Sequence, residues 1–210
     1  NGEIGAADIE ISGGDVQAQF VMAAGATAIP SFTMSGGTIR NSYVDDEEYI
    51  HIKKQGGAVY LEDGTFTMPG GIIKNCSAEQ GGAVYINSQS GNSTFTMTGG
   101  EIHSCFATGT FNNASLLTAS GHGGAVCLMG GEVNMEGGKI WNNYSENGNG
   151  GAIYMQGSTE GDCSNITVDD CDFIENYAGI NGGALDWYEG AHDSTLSNSY
   201  FFNNTAERSG

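Results

Sequence analysis

Residues 81–105 read GGAVYINSQSGNSTFTMTGGEIHSC. Three short β-prone segments stand out in that stretch: Gly81-Gly82-Ala83-Val84-Tyr85, Phe95-Thr96-Met97 and Ile102-His103-Ser104. Each alternates large apolar with small or polar side chains, the period-2 pattern of a strand with one buried face. No part of the chain sustains the 3.6-residue period of a helix.

The same segments return in the same order along the chain. Gly-Gly-Ala-aliphatic recurs at Gly56–Val59, Gly123–Val126, Gly150–Ile153 and Gly182–Leu185. Phe-Thr-Met recurs at Phe32–Met34 and Phe66–Met68, with looser copies at Val133–Met135, Ile166–Val168 and Leu196–Asn198. An apolar-x-Asn segment recurs at Ile39–Asn41, Ile73–Asn75, Ile140–Asn142, Ile174–Asn176 and Phe202–Asn204, with Ser104 in place of Asn in one copy. Alternation sends Val59/Leu61 and Val84/Ile86 inward, with Val126/Leu128, Ile153/Met155 and Leu185/Trp187 as their equivalents. Phe66/Met68 and Phe95/Met97 point inward as well.

Self-similarity at a spacing of ~20–40 residues is the signature of a solenoid. The expected fold is therefore all-β: a right-handed parallel β-helix of about seven three-strand coils, with glycine at the corners where positive φ is needed. The coils fall near 1–18, 19–41, 56–75, 81–105, 123–142, 150–176 and 182–204. Stacked about 4.8 Å apart, they make a rod of roughly 33 Å. The three segment types form three parallel sheets. Asn41, Asn75, Ser104, Asn142, Asn176 and Asn204 align as a hydrogen-bonded ladder at one corner. The whole chain, 1–210, reads as one β-helix domain with surface loop insertions at 42–55 and 106–122, the first carrying Asp45-Asp46-Glu47-Glu48.

Composition narrows the function. The chain has 25 acidic and 6 basic residues, a formal net charge of -19. That balance argues against nucleic acid, anionic polysaccharides and anionic membranes as partners. No apolar run approaches the ~20 residues of a membrane span. The chain begins without Met or a secretory signal pattern, which points to a mature, processed or excised piece.

Five Gly-Gly-Ala-aliphatic copies, together with Phe173-Ile174-Glu175-Asn176 and Phe201-Phe202-Asn203-Asn204, resemble the repeats of the polymorphic outer-membrane protein family of chlamydiae and related β-helical adhesins. Aligned on Phe-x-x-Asn, the other copies carry Thr38, Ile72, Glu101 or Lys139 at the Phe position. The resemblance covers residues ~30–204 and implies surface display and adhesion. It does not extend to that family's membrane-anchoring barrel.

Many parallel β-helices act on polysaccharides, and Gly121-His122-Gly123 with Asp169-Asp170 echoes a polygalacturonase-like constellation. Here the Asp pair follows the His, and no Arg-x-Lys accompanies it. Outward Thr65-x-Thr67 and Thr94-x-Thr96 suggest an ice-binding face, but Glu132/Asn134 and Asn165/Thr167 interrupt the pairing. His51, His103, His122 and His192 are scattered, so no metal and no cofactor is expected. Cys76 and Cys105 follow the ladder position of neighbouring coils, within disulfide range of one another. Cys163 and Cys171 flank a short segment and form a second candidate pair, Cys127 is left over, and five unpaired thiols are the alternative. Asn-x-Ser/Thr sequons at Asn92, Asn113, Asn143, Asn165 and Asn203 are N-glycan candidates, whereas Asn75 is placed in the ladder and is a poor acceptor.

The expected function is a non-enzymatic structural or adhesive element of a secreted or cell-surface protein. Its expected partners are copies of itself or further coils stacked end to end, and a host surface or glycan. A carbohydrate-active β-helix enzyme is the alternative, and an ice-binding protein the lesser one.

Overall fold

A computed structural model describes residues 8–23, 29–42, 54–88, 91–109, 121–157, 164–188 and 194–209. Among these there is no helix, and the strands form three sheets of 12, 6 and 5 strands. Every pairing between named strands is parallel. In the five rounds that begin at Val59, Val84, Val126, Ile153 and Leu185 the chain passes from the six-stranded sheet to the twelve-stranded one, crosses it twice and enters the five-stranded sheet; the first four then return to the six-stranded sheet.

This assignment differs from the sequence expectation in one respect. The Phe-Thr-Met and apolar-x-Asn segments were placed in separate sheets, yet both belong to the twelve-stranded sheet. Ser31–Arg40 joins them, because it runs unbroken across the position where later rounds bend. Its Ser31–Thr33 end pairs with Thr65–Thr67, and its Thr38–Arg40 end with Ile72–Lys74. The third sheet comes from two-residue strands just past the Asn corner: Ser77–Ala78, Phe106–Ala107, Tyr144–Ser145, Tyr177–Ala178 and Thr205–Ala206. Phe106–Ala107 thus belongs to a sheet rather than to the 106–122 insertion, of which 110–120 lies outside the described residues. The acidic run Asp45–Glu48 lies outside them too.

The two glycines of Gly-Gly-Ala are required for different reasons. The first takes a left-handed φ, between 59° and 69° at Gly56, Gly81, Gly123, Gly150 and Gly182. The second has no room for a side chain. A Cβ on Gly82 would lie 2.3 Å from the Gly124 carbonyl oxygen of the next round and 2.5 Å from the Phe106 amide nitrogen of its own round, both backbone atoms.

Between the sheets, like residues occupy like rungs. Phe32, Phe66 and Phe95 pair in register, and their rings stack at 4.9 and 4.8 Å. Met68, Met97, Met135 and Val168 form a second row; Ile39, Ile73, Ile102, Ile140 and Phe173 a third. All of these are buried, and each such side chain contributes about 1.5–3 kcal/mol by leaving water. The last loose copy needs re-registering: Val168 pairs with Leu196, so Leu196 is the equivalent of Met97 rather than of Phe95. The six-stranded sheet is apolar on both faces from Val21 to Tyr154, where Asp186 of the last strand takes the next place in the row. Behind its inward Val and Leu positions, Tyr60, Tyr85, Cys127 and Tyr154 follow one another in register and are buried as a second cluster with Val21.

Candidate functional site

Among the described residues, the outer face of the twelve-stranded sheet carries its side chains in rows that run from strand to strand. On one arm, Thr33, Thr67, Thr96, Asn134, Thr167 and Thr195 form a single row. The row beside it runs Ser31, Thr65, Thr94, Glu132 and Asn165. The threonine array interrupted in the sequence is therefore nearly continuous in one row and broken by Glu132 in the other.

On the other arm, one row runs Arg40, Lys74, His103, Trp141, Ile174 and Phe202, and the adjacent row Thr38, Ile72, Glu101, Lys139, Asp172 and Tyr200. Arg40, Lys74 and Lys139 gather here in a chain with only 6 Lys and Arg in total. The His103 and Trp141 rings stack at 4.2 Å, and Lys139 Nζ lies 5.1 Å from the Trp141 ring centroid. Trp141 Nε1 donates to Glu101 Oε2 at 3.0 Å, and Arg40 pairs with Asp15 at 3.0 Å. Burial lowers the His103 pKa, and the neighbouring Lys74 and Lys139 lower it further against the pull of Glu101. Tyr200 and Phe202 end the rows at 53% and 47% exposure. Sequence reasoning missed this strip. Its signal was the middle residue of the first four apolar-x-Asn copies, read down the repeats rather than along them; in the last two copies the row takes the first residue, Ile174 and Phe202.

The three residues weighed for catalysis stand apart in their partners. His122 stacks on Tyr154 at 4.2 Å, and its Nδ1 accepts the Asn149 amide at 3.1 Å. Asp169 ends a strand of the twelve-stranded sheet, where the Ser197 hydroxyl and the Asn198 amide donate to it at 2.8 Å and hold its pKa below the ordinary value. Asp170 follows in a left-handed conformation, φ 51°. His51 and His192 lie outside the described residues, and among the described residues no group of His, Cys, Asp and Glu is arranged to hold a metal.

The proposed ladder is two rows, not one. Asn41, Asn75, Ser104 and Asn142 sit at the corner itself with φ of 51–53°; Asn142 Nδ2 donates to Ser104 Oγ at 3.2 Å. Asn176 and Asn204 belong to an inward row with Asn143. Each oxygen of that row accepts from the round before, as in Asn143 Nδ2 to Asn176 Oδ1 at 3.0 Å and Asn176 Nδ2 to Asn204 Oδ1 at 2.9 Å. The slip arises because Ile140 pairs with Phe173, not Ile174. On the same register Phe173, rather than an outward residue such as Lys139, is the true counterpart of the inward isoleucines.

That correction removes one glycan candidate. Asn143 is 1% exposed, and its Nδ2 is bonded to Ile102 O and Asn176 Oδ1. Asn92 and Asn203 are exposed, Asn165 is half-buried on the outer face, and Asn113 lies outside the described residues. Asn75, set aside on sequence grounds, is exposed at its corner.

Cys76 and Cys105 occupy consecutive rungs of the inward row as buried free thiols, so register allows the pairing expected of them. Cys171 is also a free thiol, and its expected partner Cys163 lies outside the described residues. Cys127 is buried in the tyrosine cluster, and burial raises its thiol pKa far above the ordinary value.

Beyond the last complete rung, Leu185, Trp187, Leu196, Phe201 and Asn204 line an open hollow of about 410 Å³. Leu185 and Trp187 hold the inward register expected of them, but Trp187 is 45% exposed. No described helix is long and apolar enough to cross a membrane. No family model, no curated protein and no solved structure matches the chain.

Proposed function

We propose that the three parallel sheets wind as a right-handed β-helix and that the chain is a non-enzymatic structural or adhesive element of a secreted or cell-surface protein. The observation that carries this reading is the outer strip from Arg40 to Phe202, where cations and aromatics sit on the flat face of an otherwise acidic chain. Aromatic residues and Arg are the side chains enriched in protein-binding patches, and a sheet holds them at fixed spacing. The likeness to polymorphic outer-membrane protein repeats supports the same surface-display role, with a host surface or glycan as the partner. The apolar hollow at Leu185, Leu196 and Phe201 fits a further rung of β-structure, from a copy of the chain or from a continuation of it.

The threonine row Thr33 to Thr195 favours a second reading, an ice-binding face. Both readings are tested with the full chain. Binding to intact animal cells and to a glycan array is expected, and Lys74→Glu with Trp141→Ala should reduce it at least tenfold. An unaffected signal, or no binding at all, overturns the adhesive reading. Release of sugar fragments from any glycan, lost in Asp170→Asn, would establish the enzyme alternative instead. Thermal hysteresis abolished by Thr96→Lys would establish ice binding.

A further inference from the structure

We propose that Cys76 and Cys105 are a disulfide-forming site, closed by a disulfide oxidant to tie two consecutive rounds of the chain together. The inference is independent of the adhesive reading.

The register places the two residues on adjacent rungs. The strands before them pair Lys74 with His103, and the strands after them pair Ser77 with Phe106. The Phe106 amide donates to the Cys76 carbonyl at 2.9 Å. Neighbouring rungs of a sheet lie about 4.8 Å apart, inside the Cα separation that a disulfide spans. Both side chains also point the same way: each sulfur lies 3.3 Å from the carbonyl oxygen two residues before it, Cys76 from Lys74 and Cys105 from His103.

The row itself gives these positions their meaning. It reads Ser42, Cys76, Cys105, Asn143, Asn176 and Asn204. From Asn143 onward each rung is held to the next by side-chain amides. The cysteines replace that amide chemistry at two successive rungs. The Ser42 amide is directed at the Cys76 sulfur, and the Cys76 amide at the Cys105 sulfur. Sulfur makes a weak acceptor, so without a covalent bond these rungs are the weakest in the row. The other described cysteines have no cysteine on a neighbouring rung: Cys127 lies between Tyr85 and Tyr154, and Cys171 pairs with Gly138 while its amide donates to Ser199.

The two thiols are also unlike. The hydrogen bond from Cys105 holds Cys76 below the ordinary thiol value, whereas burial pushes Cys105 well above it. In the folding chain, before burial sets these values, either cysteine can act as the attacking thiolate, and Cys76 serves as the example. It bonds to one sulfur of a small disulfide such as oxidised glutathione, and the S–S bond of the oxidant breaks to release one thiol. The Cys105 thiolate then attacks the Cys76 sulfur of the mixed disulfide and releases the second thiol. Two electrons pass from the protein to the oxidant, and the two cysteine protons end on the two released thiols. At 0% and 1% exposure the pair is out of reach once folded, so the bond forms as the chain folds.

The full chain is refolded from denaturant in a glutathione/oxidised glutathione buffer. Recovery of the fold is checked by circular dichroism, and free thiols are then alkylated in denaturant. Digestion without reductant should yield a Cys76–Cys105 linked peptide, two hydrogens lighter than its two reduced halves, with Cys127 alkylated. Thermal midpoint should fall on adding reductant to this protein and stay unchanged in Cys105→Ser. Alkylation of both Cys76 and Cys105 in the oxidised, folded sample overturns the proposal. A dominant link from either residue to Cys127, Cys163 or Cys171 overturns it as well.

Discussion

Asn176 Oδ1 accepts two hydrogen bonds from Asn143, one from its side-chain amide at 3.0 Å and one from its backbone amide at 3.1 Å. Asn176 Nδ2 in turn donates to the Ile140 carbonyl at 3.0 Å. All of this lies in a buried row, so deleting the amide strands several polar groups away from water. Asn176→Ala should cost about 3 kcal/mol or more, since each buried group left unsatisfied costs ~1–3 kcal/mol. Asn142→Ala, one residue from the row on the exposed corner, should cost only about 1–2 kcal/mol for an alanine at positive φ. Urea unfolding of both variants tests the contrast, and equal midpoints would contradict the two-row assignment.

Phe66 sits between Phe32 and Phe95 and is fully buried. Phe66→Ala opens a cavity that rigid neighbouring rungs cannot close. The expected loss is about 3–5 kcal/mol, read as a lower denaturant midpoint at unchanged m-value.

Gly82 and Gly91 separate the two demands on glycine. A Cβ on Gly82 collides with backbone of the next round, whereas Gly91, at φ 72°, has nothing within 4 Å of the added atom. Gly82→Ala should abolish cooperative folding, as judged by circular dichroism and soluble yield. Gly91→Ala should cost only about 1–2 kcal/mol of backbone strain.

Expression through a eukaryotic secretory pathway should leave Asn143 unmodified, because its amide is buried and bonded. Occupancy is expected at Asn92 and Asn203, which are exposed. Site-resolved mass spectrometry of glycopeptides decides this; a glycan on Asn143 in folded protein would refute the buried row.

His103 gives the fold a pH-sensitive element. Its folded pKa lies below the ordinary value because burial disfavours the imidazolium, while in the unfolded chain it stays near ~6.5. Between those two values the unfolded chain binds more protons, so stability rises with pH there. It is lost as pH falls from about 6.5 toward the folded pKa. His103→Gln should flatten this part of the stability–pH curve, measured by urea midpoints at successive pH values. An unchanged slope would show that His103 does not contribute.

Most of the interior was legible because strand alternation is a local property. Phe66, Met68, Ile73, Val84 and Ile86 fall inward as period 2 requires. The corners were not legible. At Asn41, Asn75, Ser104 and Asn142 the backbone turns left-handed, which breaks the alternation and sends the next residue inward. A reader counting by twos therefore places Asn142 in the ladder and Asn143 on the surface, the reverse of their roles.

What the sequence by itself determined was the parallel-strand repeat, the inward apolar positions and the positive-φ glycine of each corner, because these depend on the local alternation and backbone within one round; the second glycine of each pair is fixed by contact with the next round. Tertiary structure alone decided which residues share a rung, since that depends on how far each intervening loop carries the chain before it pairs. Only stacking brought Lys74, His103 and Trp141 into one outer row. It also buried Tyr60, Tyr85 and Tyr154 on the back of the six-stranded sheet.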